Sequence, residues 1–207
     1  METIPTEQQN VKHAEFSPHE EHLITTALDG TAKIWHFKTG TLVSTLKGHS
    51  TAILRASFNH DGSMVATASK DHTAKIWNPY TGELLWTFSH NHDVYSVAFS
   101  PDDHRVVTTS SSGEIKIWDT HTGMMLLDLV QNNSPIITTA SFSPDGKLIA
   151  TTSSDKNITI WDSESGMIQQ IISTSPSKAI SATFIDNKLI VVDSNGISVW
   201  RIYEKSF

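Results

Sequence analysis

Apolar residues gather along this chain in short runs broken by glycine, proline, aspartate or asparagine, and nowhere do they recur at the spacing of a helix face. Ile53 to Phe58 is such a run, closed by Asn59-His60-Asp61-Gly62, whose Asp and Gly supply local hydrogen bonds and tolerance of positive φ. A hairpin is predicted there. Met64 to Ser69 follows as a second strand, Lys70-Asp71-His72 as a turn and Thr73 to Trp77 as a third strand. After Asn78-Pro79-Tyr80-Thr81-Gly82 the chain resumes as a fourth strand, Leu84 to Phe88. The same order recurs, with first turns at Ser17-Pro18, Ser100-Pro101-Asp102 and Ser143-Pro144-Asp145-Gly146, and last turns at Thr39-Gly40, Thr122-Gly123 and Ser165-Gly166. Runs such as Leu148-Ile149-Ala150 and Leu189-Ile190-Val191-Val192 are apolar at successive positions, which suits sheets covered on both faces. The expectation is an all-β stack of small antiparallel sheets.

Tryptophan sets the period. Trp35, Trp77, Trp118, Trp161 and Trp200 are separated by 42, 41, 43 and 39 residues, each closing a predicted third strand. A period of this size marks one supersecondary unit repeated along the chain. The repeats are expected at about 11–46, 52–88, 94–129, 136–172 and 179–207, after an N-terminal extension of 1–10. Trp86 stands outside the period, on a fourth strand, where it either packs against a neighbouring sheet or serves as an exposed anchor for a partner.

The bulk composition narrows the function classes. No apolar stretch approaches the roughly 20 residues of a membrane-spanning helix, and Met1 to Gln9 has neither a basic start nor an apolar core, so a cytoplasmic location is expected. Cysteine is absent, which removes disulfides and thiolate metal sites. With 15 basic and 22 acidic residues the net charge is −7, and no basic block is present, so nucleic-acid and anionic-membrane partners are disfavoured.

The period, the turn chemistry and the tryptophan position together resemble the WD-repeat β-propellers over essentially the full chain. The Trp-Asp dipeptide stands at Trp118-Asp119 and Trp161-Asp162 and is altered at Trp35-His36, Trp77-Asn78 and Trp200-Arg201; Gly48-His49 carries the opening Gly-His, and Ser89-His90 is a close variant. The resemblance implies a propeller of five four-stranded blades, incompletely closed, and in each blade a buried relay of His, Thr, Asp and Trp. Copy two has all four, His49, Thr67, Asp71 and Trp77. Copy one keeps Thr25, Asp29 and Trp35 with Glu7 in the histidine place, and copy four keeps Thr151, Asp155 and Trp161 with Asn133 there. Copy three has His90, Thr108 and Trp118 but Ser112 for Asp, and copy five retains Trp200 alone.

Eleven histidines, with His13, His19 and His22 close in sequence, invite a metal or catalytic reading. None falls in a zinc spacing, however; His49 and His90 belong to the relay, and His60, His72, His104 and His121 sit in predicted turns. Glu15 is the lone acid on a first strand, so no acid and base pair is evident. No catalytic residue, metal or cofactor is therefore assigned. The expected function is a non-enzymatic scaffold for protein or peptide partners, with a propeller hydrolase or lyase at the central channel, or one module of a larger propeller assembly, as alternatives.

Members of the resembled family engage partners three and five residues after the Gly-His histidine and just before the turn Asp. Carried over, these are Lys12 and Leu28; Ala52, Leu54 and Lys70; Asp93, Tyr95 and Ser111; Ile136, Thr138 and Ser154; and Lys178 and Ile180. The mixture of Leu, Tyr and Ile with isolated charges fits a protein surface. The fifth copy offers no fourth strand after Trp200, and Thr3 to Gln9, with Pro5 and polar residues, would be a poor closing strand. A five-bladed ring, an arc completed by self-association or by another chain, and a relative of a longer propeller are the three outcomes this leaves, an incompletely closed arrangement being favoured.

Overall fold

The computed structural model describes residues 8, 10–130, 136–174, 179–186 and 188–201. Every regular element among them is a β-strand. In chain order these are β1 (Val11–Phe16), β2 (His22–Ala27), β3 (Thr31–His36), β4 (Thr41–Lys47), β5 (Ile53–Phe58), β6 (Val65–Ser69), β7 (Thr73–Trp77), β8 (Leu84–Ser89), β9 (Val94–Phe99) and β10 (Arg105–Ser110). They continue as β11 (Glu114–Asp119), β12 (Met125–Val130), β13 (Ile137–Phe142), β14 (Leu148–Ser153), β15 (Asn157–Asp162), β16 (Ile168–Ser173), β17 (Ala179–Ile185), β18 (Lys188–Asp193) and β19 (Gly196–Arg201). Consecutive strands pair antiparallel into four sheets of four strands and a last sheet of three, β17-β18-β19. The first strands β1, β5, β9, β13 and β17 lie side by side in that order, so sheet follows sheet along the stack of an incomplete β-propeller.

One seam, repeated, makes the core. Between the first two sheets, Ile24 of β2, Ala32 and Ile34 of β3 and Leu46 of β4 meet Ile53, Ala56 and Phe58 of β5, Val65 of β6 and Trp77 of β7. Each sheet thus offers a back face to its successor and a front face, which carries the tryptophan, to its predecessor. The second seam sets Phe88 flat against Trp118, ring centroids 4.6 Å apart. The third closes on Trp161 and the fourth on Leu189 and Val191. Burial on both faces explains why β6, β10 and β14 are apolar or Thr/Ser at almost every position: β6 is buried throughout. Burying one large aliphatic or aromatic side chain contributes about 1.5–3 kcal/mol, against about 1 kcal/mol for a net hydrogen bond, so the seams dominate the stability.

Polar ties cross the same seams. The Glu15 carboxylate on β1 accepts from Phe58 N at 3.0 Å and Ser57 Oγ at 3.1 Å on β5; burial pushes this carboxyl above its usual range while the two bonds pull the other way. Asp103 accepts from the backbone N–H of His60 and Asp61, and Arg105 donates to Gly146 O at 2.8 Å. Trp86 is one of these ties. Its indole N–H donates to Thr120 O at 2.9 Å, and a Cβ at Gly123, where φ is +69°, would stand 2.4 Å from its ring. The tryptophan outside the period is therefore a packing residue between the second and third sheets.

The last sheet departs from the pattern. Trp200 is 39% exposed and its indole N–H reaches only Ser198 Oγ, two residues back on its own strand. The register explains this: the position of Thr67 is taken by Val191, opposite Ser198, and a valine offers the indole no acceptor. The buried tryptophan that the resemblance implied in each blade is corrected at this one. The apolar run Leu189 to Val192 is likewise buried on one face only.

Candidate functional site

The family resemblance implied two sets of residues: the relay, and the surface at its open end. In the second sheet the relay residues are in contact. Trp77 Nε1 donates to Thr67 Oγ1 at 2.8 Å, Thr67 Oγ1 lies 2.7 Å from His49 Nε2, and His49 Nδ1 lies 2.7 Å from Asp71 Oδ2. A carboxylate only accepts, so Nδ1 carries the proton, Nε2 accepts from the threonine hydroxyl, and that hydroxyl oxygen accepts from the indole. Burial holds His49 below the ordinary imidazole value despite the opposing pull of Asp71, which keeps the ring neutral in this chain of one-way bonds. Asp71 also accepts from Ser50 N, Thr73 N and Thr73 Oγ1, and so pins the loop before β5 to the turn before β7.

Two other sheets reach the same end with different atoms. In the third, Trp118 Nε1 donates to Thr108 Oγ1 and His90 Nε2 lies 2.7 Å from it, but Ser112, in the place of Asp71, is too short to act as the carboxylate. Glu114, two residues on, supplies it. Its oxygens accept from Ser110 Oγ, Ser112 Oγ, Asn91 N and Asn91 Nδ2, and Lys116 Nζ stands at 3.2 Å. These donors outweigh partial burial and hold Glu114 down at about 2. His90 Nδ1 remains 3.5 Å from Glu114 and makes no hydrogen bond; burial above all, then Lys116, drives its pKa to about 4. In the first sheet Glu7 lies outside the described residues, and Gln8 does the histidine's work: its Oε1 accepts from Thr25 Oγ1 while its Nε2 donates to Thr31 O and Oγ1 at 3.1 Å. A side-chain amide, with acceptor and donor on one plane, reproduces the two roles of an imidazole. Asp29 caps Thr31, and Trp35 donates to Thr25. In the fourth sheet Trp161 donates to Thr151 at 2.9 Å and Asp155 accepts from Asn157 N, while Asn133 lies outside the described residues.

At the open end of the relays the backbone repeats a two-part device. The residue before each turn aspartate, or its equivalent, donates its N–H to the residue before the first strand: Leu28 to Asn10 O, Lys70 to Ala52 O, Ser111 to Asp93 O and Ser154 to Ile136 O. The two loops of each of these four sheets are thus held side by side. Just beyond, every first strand slips register by one residue against its second strand, between Val11 and His13, Ile53 and Arg55, Val94 and Ser96, Ile137 and Thr139, and Ala179 and Ser181. The residue skipped is in turn Lys12, Leu54, Tyr95, Thr138 and Ile180. A bulge of this kind re-aims the side chain that the ladder leaves unpaired. Val11 apart, the residue before each is buried in a seam, whereas all five bulge residues keep exposed surface.

The other carried-over positions differ among themselves. Leu28, Lys70, Ile136 and Ser154 are exposed, and Asp93 and Ser111 half-buried, with His72 Nε2 3.5 Å from Asp93. Ala52 is buried and contributes its carbonyl alone. Lys178 lies outside the described residues. Asn10, which spacing passed over, stands at the Ala52 position with φ +57°.

Among the described residues no group of three or more His, Asp or Glu is gathered to hold a metal. His22 packs edge-on against His36 and Tyr80, and His104 lies 5.0 Å from His121, ring to ring. No helix among them is long and apolar enough to cross a membrane.

The family model described as the IFT122 first beta-propeller matches residues 10–207. The chain belongs to that family. The WD-repeat resemblance and the all-β propeller reading hold together on this match and on the repeated sheets. No curated protein matches the chain.

Two outcomes follow from the relay. His49→Ala or Asp71→Ala leaves buried partners unsatisfied and should lower stability by about 1–3 kcal/mol, whereas His121→Ala in an exposed turn should cost under about 0.5 kcal/mol; denaturant melts of the three variants check the order. Acid should also unfold the chain through His90. The unfolded imidazole takes up a proton near its ordinary 6.5 and the folded one only at about 4, so stability falls as pH drops through that interval. His90→Gln should flatten this fall in melts run from pH 7.5 to 4.5, and superimposable profiles would count against it.

Proposed function

We propose that this propeller is a non-enzymatic scaffold that binds a protein or peptide across the loop face, with Lys12, Leu28, Leu54, Lys70, Asp93, Tyr95, Ser111, Ile136, Thr138, Ser154, Lys178 and Ile180 as contacts and Ala52 as backbone support. The observation that carries the reading is the bulge repeated in all five first strands. Five successive strands give up a ladder position at the same height, and the residues released, Lys12, Leu54, Tyr95, Thr138 and Ile180, are among those carried over from the family resemblance. Leu54, Tyr95 and Ile180, with Leu28 and Ile136 beside them, supply apolar anchors; Lys12, Lys70 and Asp93 supply the charged surround that an interface rim requires. The relays below hold the loops in place, so a partner meets a surface whose ordering entropy is already spent. Where such a scaffold would act, a cytoplasmic location agrees with the absence of cysteine.

The test is recovery of bound proteins from a lysate by the immobilised chain, with Leu54→Asp combined with Tyr95→Asp. Loss of two central anchors should reduce specific recovery at least about tenfold, while Met124→Asp, on an exposed turn at the opposite end of the sheets, should leave it unchanged. Equal recovery by the anchor variant and the wild type contradicts the proposal.

A further inference from the structure

The fold treats the acids and the cations of the loop face differently. Asp71 is spent on Ser50 N, Thr73 N, Thr73 Oγ1 and His49 Nδ1, Glu114 on Ser110, Ser112 and Asn91, and Asp155 on Asn157 N. Arg55 and Lys70 are exposed, and among the described residues neither side chain makes a hydrogen bond or an ion pair. Glu15 feels the charge of Arg55, but its Oε1 is held by Phe58 N and Ser57 Oγ. The two cations bracket Leu54: Arg55 follows it on β5, and Lys70 stands beside the start of that strand, its N–H donating to Ala52 O at 3.0 Å. Lys12, the bulge residue of the adjacent strand β1, adds a third positive charge at this level. At the other end of the sheets the balance is reversed. Asp61, Asp102, Asp103, Asp119, Asp145 and Asp162 stand in the turns there against Lys38, Arg105 and Lys147, and Arg105 is itself engaged on Gly146 O and Ser163. The chain's excess of acid, −7 overall, therefore lies largely toward the end away from the loop face.

We infer that the partner of the loop face is an acidic peptide segment in which Asp or Glu residues flank an apolar one, the apolar residue meeting Leu54 and Tyr95 and the carboxylates meeting Arg55 and Lys70. The inference rests on the scaffold reading above and names the chemistry of its partner. Charge complementarity carries it. A carboxylate brought to Arg55 or Lys70 supplies the counter-charge that the chain withholds, whereas a basic segment would meet like charge around Leu54 and carboxylates whose oxygens are already committed. The two cations stand on either side of Leu54 and do not converge on one point. That spacing suits separate carboxylates along a peptide, and not a single phosphate group, which is held by donors that converge. Asp93, with His72 Nε2 at 3.5 Å, bounds the cationic patch on the side of the third sheet. The acidic turns at the far end also orient the molecule, so that an anionic partner is steered toward the loop face on approach.

Selection of a displayed random-peptide library on the immobilised full chain tests the inference. Peptides retained by the wild type should contain Asp and Glu at least about twice as often as the starting library, and their binding should weaken about tenfold between about 50 and about 500 mM salt. Arg55→Glu combined with Lys70→Glu should turn the preference toward Lys and Arg, whereas Lys147→Glu, at the opposite end, should keep it acidic. If the double reversal alters the circular dichroism, Arg55→Gln with Lys70→Gln takes its place and should abolish the acidic preference. Peptides retained by the wild type over the Leu54→Asp, Tyr95→Asp chain but without acidic enrichment, or with an enrichment that the Arg55 and Lys70 changes leave intact, overturn the inference and leave the scaffold reading standing. A gain of more than about tenfold on replacing one Glu of a retained peptide by phosphoserine would assign the cations to phosphate and overturn the choice of carboxylate. Retention of no peptide over that double anchor variant would remove the inference together with the reading beneath it.

Discussion

A four-stranded sheet of this chain has two apolar faces and no means of burying either within itself. That constraint governs the rest of the structure. It accounts for strands such as β6, buried at every position, and for the placement of Trp77, Trp118 and Trp161 on the face turned to the preceding sheet. It also explains why ties such as Glu15 to Phe58 N and Trp86 to Thr120 O run between sheets. Stability in such an array comes from nearest-neighbour interfaces more than from any one repeat.

The relays are subordinate to the seams yet decide where the loops stand. In the second sheet the relay begins at an indole whose ring is in the core and ends at a carboxylate that caps a turn on the loop face, so a packing position inside is coupled to a loop position outside by three hydrogen bonds. The bulges complete the arrangement by releasing one residue of each first strand from the ladder just below those loops. Rigid sheets, fixed loops and bulge residues at one level are the features on which the proposed interaction surface rests.

Much of this could be read from sequence because it follows from local rules. Turns with Gly, Pro and Asp marked the strand ends, and β5 and β7 fall where the apolar runs placed them. What spacing could not supply was reach. Glu114 serves in place of Ser112 because its side chain is long enough to return from two residues downstream, and Gln8 meets Thr25 from one residue beyond the aligned position. Alignment assigns positions, whereas hydrogen bonds are made by atoms at the ends of side chains of different length. Trp86 was ambiguous for a related reason: its partners, Thr120 O and the space left by Gly123, belong to the next repeat, and only the stacking of sheets brings them together. At Trp200 the period held and the environment did not, since Val191 removes the acceptor.

If the seams hold the array together, protection should grade from its middle to its ends. Native-state hydrogen exchange at dilute concentration measures this directly, amide by amide. The account predicts slowest exchange in β6, β10 and β14, whose sheets are covered on both faces, and fastest in β1 and β19, whose outward faces are bare. Uniform protection across all five sheets, or protection greatest in β19, would contradict it.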